Sequence, residues 1–378
     1  MKIYDVVVIG GGVIGLSIAY EIKFRHNKIK VAILEKTQTG YEASHASAGM
    51  LEPQLIMPRQ NLSDREKAFF RLCRESQNMY EETIRRIEYH SRMDCEYRKE
   101  GILKLISPET DPKPWLSWYV GLGMHAHFWS VEQTGEAEPA LREGMAAIHL
   151  PDNHQVENRK LSAALAECCK NLGVDILEYS AVESIILNNE AIDHLQTKTG
   201  TVSAARYVLA AGAWSSQIPG LTQTIPEIKP IRGQIVAMQM PKPDFIRYPA
   251  YLEDFYYVPR NSGRLLIGST VEEAGFDKAV TPSVIVGFIE KLRALIPQSK
   301  TFESVERWAG LRPCSADRLP LLGETRLTNL IVATGHFRNG ILLMPITAKL
   351  IADMIITGKS SPMLAPFSPS RFNGSTNA

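Results

Sequence analysis

Six consecutive residues near the start, Gly10-Gly11-Gly12-Val13-Ile14-Gly15, constrain this chain more than any other feature. They follow a continuous apolar run, Asp5–Ile9, and precede a stretch from Leu16 to about Phe24 in which Ile18 and Ile22 recur at helical spacing. Strand, glycine turn and helix in that order open a β-α-β unit. Gly10 permits the tight turn, Gly12 lets the backbone approach a pyrophosphate, and Gly15 lets the helix pack close to the strand. The phosphates would sit on the free N–H groups and positive end of the helix. A second strand, Lys30–Leu34, ends at Glu35, where a carboxylate can accept both hydroxyls of an adenosine ribose. A glycine-rich turn in a sheet that binds nothing would leave Glu35 unexplained.

That fingerprint does not separate FAD from NAD. Further along, Tyr207-Val-Leu-Ala-Ala-Gly-Ala-Trp214 puts small residues at a strand end, which suits either a close backbone approach to a ligand or a buried strand with a tight turn. The run Ser44-His-Ala-Ser-Ala-Gly-Met50 suits a chain lying against a flat ring or phosphate with its donors exposed. Taken alone it reads equally as a plain Ser/Ala loop. Gly335-His-Phe-Arg-Asn-Gly340 leads into a helix and offers N–H groups to an electron-rich acceptor such as the edge of a reduced flavin. Arg312 stands among Trp308, Leu311 and Pro313, an apolar context in which a guanidinium needs an anion. A substrate carboxylate gripped bidentately would serve, and so would an internal acid.

The nucleotide-type segments occur early, in the middle and at the end, with two inserts between them. The 378 residues fit two joined domains. We expect an α/β chain, a Rossmann-like nucleotide-binding domain (1–50, 155–225 and 305–378) with an α+β, mixed-sheet substrate domain inserted (51–154 and 226–304). Ser63-Asp-Arg-Glu66 reads as a capping box opening a helix, and the Ser/Pro-rich tail after Lys359 reads as loosely ordered. Lys plus Arg number 42 against 41 Asp plus Glu, so nothing in the charge draws the chain to nucleic acid or an anionic membrane. Five scattered cysteines without a CxxC pair read as reduced thiols of a cytoplasmic protein. The longest apolar stretches are interrupted by glycines or by Lys349 and Asp353, short of a membrane span. His125 and His127 share one face of a predicted strand without a third metal ligand spaced nearby; no metal site is expected.

Gly10–Gly15, Ser44–Met50, Ala210–Trp214, Pro230–Gln234, Tyr257–Arg260, Trp308–Pro313 and His336-Phe-Arg-Asn-Gly-Ile-Leu-Leu343 together resemble the glycine oxidase branch of the D-amino-acid oxidase-like flavoproteins. The matches run in order across nearly the whole chain, as far as Phe372. The resemblance implies non-covalent FAD, bound through Gly10, Gly12, Val13, Ile14, Gly15, Glu35, Lys36, Ala43, Ser44, Ala48, Gly49, Met50 and Val182. It also implies Ala211, Gly212, His336, Phe337, Arg338, Asn339, Gly340, Ile341 and Leu342. Arg312 matches the arginine that pairs with a substrate carboxylate, Tyr256 a tyrosine whose hydroxyl assists it, and Arg338 a second substrate-side arginine, with Met50 alongside. Tyr256 and Tyr257 alternate faces on a strand, so only one of them reaches the pocket.

The implied reaction is oxidative deamination of glycine, and of small amines such as sarcosine or D-alanine, with dioxygen as acceptor. Catalysis would rest on orientation, with no protein acid or base required. The resemblance further implies a homo-oligomer, a tetramer by analogy, and a role in making the thiazole ring of thiamine. Asp254 stands where a histidine is usual and Val271 where methionine is usual; both are expected near the pocket and bear on substrate breadth. The competing readings are a D-amino-acid or N-methyl-amine dehydrogenase feeding a carrier, an FAD-bound module without turnover, and, more remotely, a nicotinamide enzyme.

Overall fold

The protein is described from a computed structural model covering residues 2–53, 62–221 and 224–372. Lys2–Ile9 lies at the centre of an eight-stranded sheet, parallel to Val31–Leu34 on one side and to Gly200–Leu209 on the other. Asp175–Leu177 extends the first side and Leu330–Thr334 the second, both in parallel. Leu321–Glu324 closes that second edge antiparallel, and a hairpin of Val182–Asn188 and Ala191–Thr197 adds to Gly200–Leu209.

The unbroken apolar character of the first strand has a direct cause. Val6 and Val8 point into one core with Leu16, Ile18, Leu165 and Leu343, whereas Val7 and Ile9 point into another with Tyr207, Leu209 and Val332. Both faces are covered, so there is no polar alternation to read.

The two inserts build a single second sheet. Its order is Glu303–Cys314, Lys229–Gln239, Arg264–Gly268, Phe255–Pro259, Ala250–Leu252, Ile102–Ile106, Ala146–Leu150 and His127–Trp129. Ala250–Leu252 pairs parallel with Ile102–Ile106 and the other neighbours antiparallel, giving the expected mixed sheet.

Three expectations are corrected. Glu303–Cys314, assigned to the nucleotide-binding part, pairs along its length with Lys229–Gln239 and belongs to the second sheet. The helix Asp64–Ser91 lies in the first insert and begins with the predicted capping box, Ser63 with Glu66. It nevertheless sends Leu72, Cys73, Tyr80, Ile84 and Ile87 into the core under the nucleotide sheet. The tail is ordered through Phe372: Pro362–Phe367 and Pro369–Phe372 form 3₁₀ turns. Phe367 is fully buried, and Arg371 makes a two-pronged contact with Asp317, both bonds 2.8 Å. Residues 373–378 lie outside the described residues.

The helix Gly340–Thr357 is, by length and composition, apolar enough to cross a membrane, although its sequence reads as interrupted by Lys349 and Asp353. Here 67% of it is buried, packed on Val13–Arg25 and Asp64–Ser91.

Candidate active site

A deep cleft enclosing about 1820 Å³, its open mouth included, runs from the Gly10–Gly15 turn to the inner strands of the second sheet.

At the near end Gly10 adopts φ +112°, and a Cβ there would stand 2.4 Å from the Ala210 carbonyl oxygen. Gly12 caps the helix Val13–Arg25 in extended conformation. The Ser44 hydroxyl accepts from the Val13 N–H at 2.9 Å, tying the Ser44 segment to the helix start. Glu35 is buried; its Oε2 accepts from the Gly11 N–H at 2.8 Å and its Oε1 from the Thr37 N–H at 2.9 Å. A carboxylate has about four lone-pair sites, so capacity remains toward the cleft. Lys36 lines the wall, paired with Glu42 at 2.9 Å and seated over the Trp214 ring.

The Ser44–Met50 segment is strapped down by Asn158, which the sequence does not single out, and by Trp308 and Arg260, which it shows only as parts of motifs. Asn158 donates to the Ser44 and His45 carbonyls at 2.8 and 3.0 Å, and Trp308 Nε1 donates to Ala46 at 3.1 Å. Arg260, fully buried, donates to the carbonyls of Ala48 at 2.8 Å and Val156 at 3.1 Å. Its other acceptors, Gln155 and Asn158, are neutral. Burial pushes this guanidinium down to about 10. Gly49 has φ +65° and no room for a side chain, since a Cβ would lie 2.1 Å from the Val156 oxygen. These contacts leave Ala43, Ser44, Ala48, Gly49 and Met50 along the cleft, opposite Val182, Ala211 and Gly212.

At the far end His336, Phe337, Arg338, Gly340 and Ile341 line the cleft. Burial pushes His336 down to about 3, so its imidazole is neutral, with Nε2 3.1 Å from the Thr347 hydroxyl. Phe337 holds φ +49°, and its N–H donates to the Pro313 carbonyl at 2.9 Å, joining this loop to the strand that carries Arg312. Three expected cofactor residues do not line the cleft. Gly15 packs helix on turn, where a Cβ would stand 2.0 Å from the Gly10 oxygen. Asn339 is buried, its carbonyl accepting from the Leu343 N–H at 2.8 Å. Leu342 lies in the core, with its carbonyl taken by the Ser76 hydroxyl at 2.6 Å.

The substrate end is built on the second sheet. Arg312 donates to the Ser269 hydroxyl at 2.7 Å and to the Thr270 carbonyl at 3.0 Å. Among the described residues it has no salt bridge: the nearby acid Glu272 is held by Arg232. Burial pushes the Arg312 guanidinium down to about 10. Gly233 makes the space, since a Cβ there would stand 2.2 Å from Arg312 Nη2. Tyr256 reaches the cleft, while Tyr257 packs into the opposite core with Phe255 and Ile267.

Two expectations fail here. Asp254 is exposed and paired with Lys291 at 2.7 Å, and Val271 is 53% exposed; neither lines the cleft. A carboxylate absent from the sequence reading, Glu52, follows the short strand Met50–Leu51, whose first residue lines the cleft. Of the two histidines set aside earlier, only His127 is in a strand, whereas His125 contacts Asp152 at 3.0 Å.

Residues 5–354 match the family model described as FAD dependent oxidoreductase. The chain belongs to this family. It is 32% identical over 378 residues to the glycine oxidase of Geobacillus kaustophilus, covering 98% of both proteins. The crystal structure of that organism's glycine oxidase superposes with a TM-score of 0.88 at 31% identity, over 98% of this chain and 99% of the other. It is also 35% identical over 373 residues to the bifunctional protein ThiO/ThiG of Trichormus variabilis. There 97% of this chain covers 55% of the relative, so it spans about half the length of those bifunctional proteins. The cofactor of the family is FAD. The glycine cradle at Gly10, the acceptor at Glu35 and the Ala43–Met50 wall fit such a dinucleotide.

Proposed function

We propose that the chain oxidises glycine, and small amines such as sarcosine and D-alanine, to a 2-oxo acid, ammonia (methylamine from sarcosine) and hydrogen peroxide, with FAD held non-covalently along the cleft. One observation carries this reading: a half-buried guanidinium, Arg312, faces the cleft with carbonyl and hydroxyl partners but no acid among the described residues. A cation of that kind favours an anionic ligand, and a fork of N–H donors matches a carboxylate.

The residues then divide the work. Gly10, Gly12, Val13, Ile14 and Glu35 would hold the adenosine and pyrophosphate portion. The Ala43–Met50 wall, Val182, Ala211, Gly212 and the His336–Ile341 segment would line the rest of the FAD. When bound, FAD supplies a two-electron acceptor that dioxygen can reoxidise. Arg312 anchors the substrate carboxylate, with the Tyr256 hydroxyl beside it, and this fixes the orientation of the α-carbon. No acid or base of the chain is required: a neutral amine supplies the lone pair that forms the imine, and water hydrolyses it. For glycine the product is glyoxylate. Neutral His336 adds no competing positive charge at the ring end, and the N–H groups opening the helix Gly340–Thr357 offer stabilisation to negative charge there.

Likeness to the ThiO/ThiG proteins supports thiamine thiazole synthesis as the destination of the imine. Five buried free thiols support residence in the cytoplasm. A homo-oligomer completes the reading. Mixing the aerobic flavoprotein with glycine, sarcosine and D-alanine tests it: we expect peroxide, the 2-oxo acid and the released amine (ammonia, or methylamine from sarcosine) in equal amounts. Electrons delivered only to an added carrier, without peroxide, would support the dehydrogenase reading instead.

A further inference from the structure

Arg312 is aimed by its neighbours, and those neighbours lie on a segment that a second arginine holds in place. Ser269 and Thr270, whose hydroxyl and carbonyl accept from Arg312, come directly after the strand Arg264–Gly268. A third acceptor is the carbonyl of Arg232, 3.4 Å from Arg312 Nη1. Two positions beyond Thr270, Glu272 exchanges both backbone hydrogen bonds with Arg232, at 2.9 and 3.0 Å. The same two residues are joined through their side chains. Glu272 Oε2 accepts from Arg232 Nε at 3.1 Å and also from Nη2. Gln234, fully buried, completes the clasp. Its Nε2 donates to Glu272 Oε1 at 2.8 Å, and its backbone N–H donates to the Thr270 hydroxyl at 3.1 Å.

The pleat explains how Arg232 does this without entering the cleft. Gly233 faces the Arg312 guanidinium, so the side chains of Arg232 and Gln234 point to the other side of the strand. There Arg232 Nη1 also donates to Asp277 at 2.8 Å and to the Ala279 carbonyl at 3.1 Å. One guanidinium thus fastens the segment at three points along its length. Little else covers it, for Phe276 is 40% exposed. Its far part crosses to the nucleotide-binding side. Phe276 packs on Trp214, ring centroids 5.5 Å apart, and Lys278 reaches Glu42 at 3.1 Å; Trp214 and Glu42 both line the cleft.

We propose that Arg232 is a positioning residue for substrate binding: by holding Glu272 it fixes Ser269 and Thr270, and these set the direction in which the Arg312 fork meets a substrate carboxylate. Two parallel N–H···O bonds form only when the plane of the guanidinium is turned to match the carboxylate. Loosening the segment therefore weakens the grip while leaving the charge of Arg312 in place. This inference rests on the proposed reading of Arg312 as the carboxylate anchor.

The test is a double-mutant cycle on the full flavin-loaded chain, with wild type, Arg312→Ala, Arg232→Met and the double variant. The readout is the slope of the flavin reduction rate against glycine concentration without oxygen, which is defined even where binding does not saturate. Arg312→Ala is scored first: a wild-type slope there means that the anchor reading itself has failed, and this proposal falls with it. Given the anchor effect, we expect Arg232→Met to lower the slope by roughly tenfold or more with FAD retained, because Arg232 does not line the cleft. The double variant should be no slower than Arg312→Ala alone, since Arg232 acts through Arg312. A merely structural role would instead make the two losses add. Additive losses, or a slope for Arg232→Met within about threefold of wild type, would overturn the role given to Arg232. Glu272→Gln, which keeps the size of the side chain and removes its charge, is carried through the same cycle. It should lower the slope several-fold, again without adding to Arg312→Ala. If Arg232→Met does not fold, the Glu272→Gln cycle decides alone.

Discussion

Replacing Arg312 by alanine removes the group on which substrate orientation depends, and the structure sets the scale of the loss. Burial has lowered that guanidinium from its usual 12.5 to about 10, which corresponds to roughly 3 kcal/mol by which its surroundings disfavour the cation. Ser269 and Thr270 supply neutral acceptors, so a substrate carboxylate would be its one full counter-charge. Removing one member of a buried pair costs about 3–5 kcal/mol, because the other charge is left uncompensated. We therefore expect glycine to bind Arg312→Ala between a hundredfold and several thousandfold more weakly. Arg312→Lys should recover part of the loss, keeping charge without the fork. The assay is anaerobic stopped-flow reduction of the flavin against glycine concentration, which separates the binding constant from the reduction rate. FAD should be retained, since Arg312 is not among the adenosine or pyrophosphate contacts. A glycine dissociation constant within about threefold of wild type in Arg312→Ala would refute the reasoning.

Three further outcomes are expected. Gly233→Ala places a Cβ where the Arg312 guanidinium lies and should weaken glycine binding by roughly tenfold or more while FAD is retained; an unchanged KM would contradict it. Tyr256→Phe should cost about 1 kcal/mol of substrate binding, seen as a several-fold rise in KM. Glu138 accepts from the N–H groups of Arg247 at 2.7 Å and Tyr248 at 2.6 Å, yet burial pushes its carboxyl up to about 7. A carboxyl that holds its proton more tightly when folded contributes stability below its unfolded pKa, and that contribution is lost as the pH rises through about 7. Glu138→Gln should accordingly gain on the order of 1–3 kcal/mol over wild type in denaturant unfolding at about pH 8, with little difference at about pH 4.5.

What could be read directly from the sequence was local along the chain. Gly10, Gly12 and Gly15 announce their roles because turn, N-cap and helix packing are set by neighbours within a few positions. The same holds for the Ser63–Glu66 capping box. The electrostatic state of Arg312 was not legible, because it depends on Glu272 being captured by Arg232 through a cross-strand contact. Arg260 looked like one residue of a motif, and only the fold shows it fastening the Ala48 and Val156 backbones together. The domain boundary near residue 305 was misplaced because Glu303–Cys314 begins with exposed residues and carries little apolar pattern. Asp254, in the turn before Phe255–Pro259, and Val271, in the loop after Arg264–Gly268, are exposed, which spacing along the chain does not reveal.

The most direct measurement follows the flavin absorbance of the holoprotein on mixing with glycine in the absence of oxygen. Rapid bleaching is predicted for the wild type, and none for Arg312→Ala at the same concentration. A yellow holoprotein that stays oxidised with glycine, sarcosine and D-alanine alike would contradict the account.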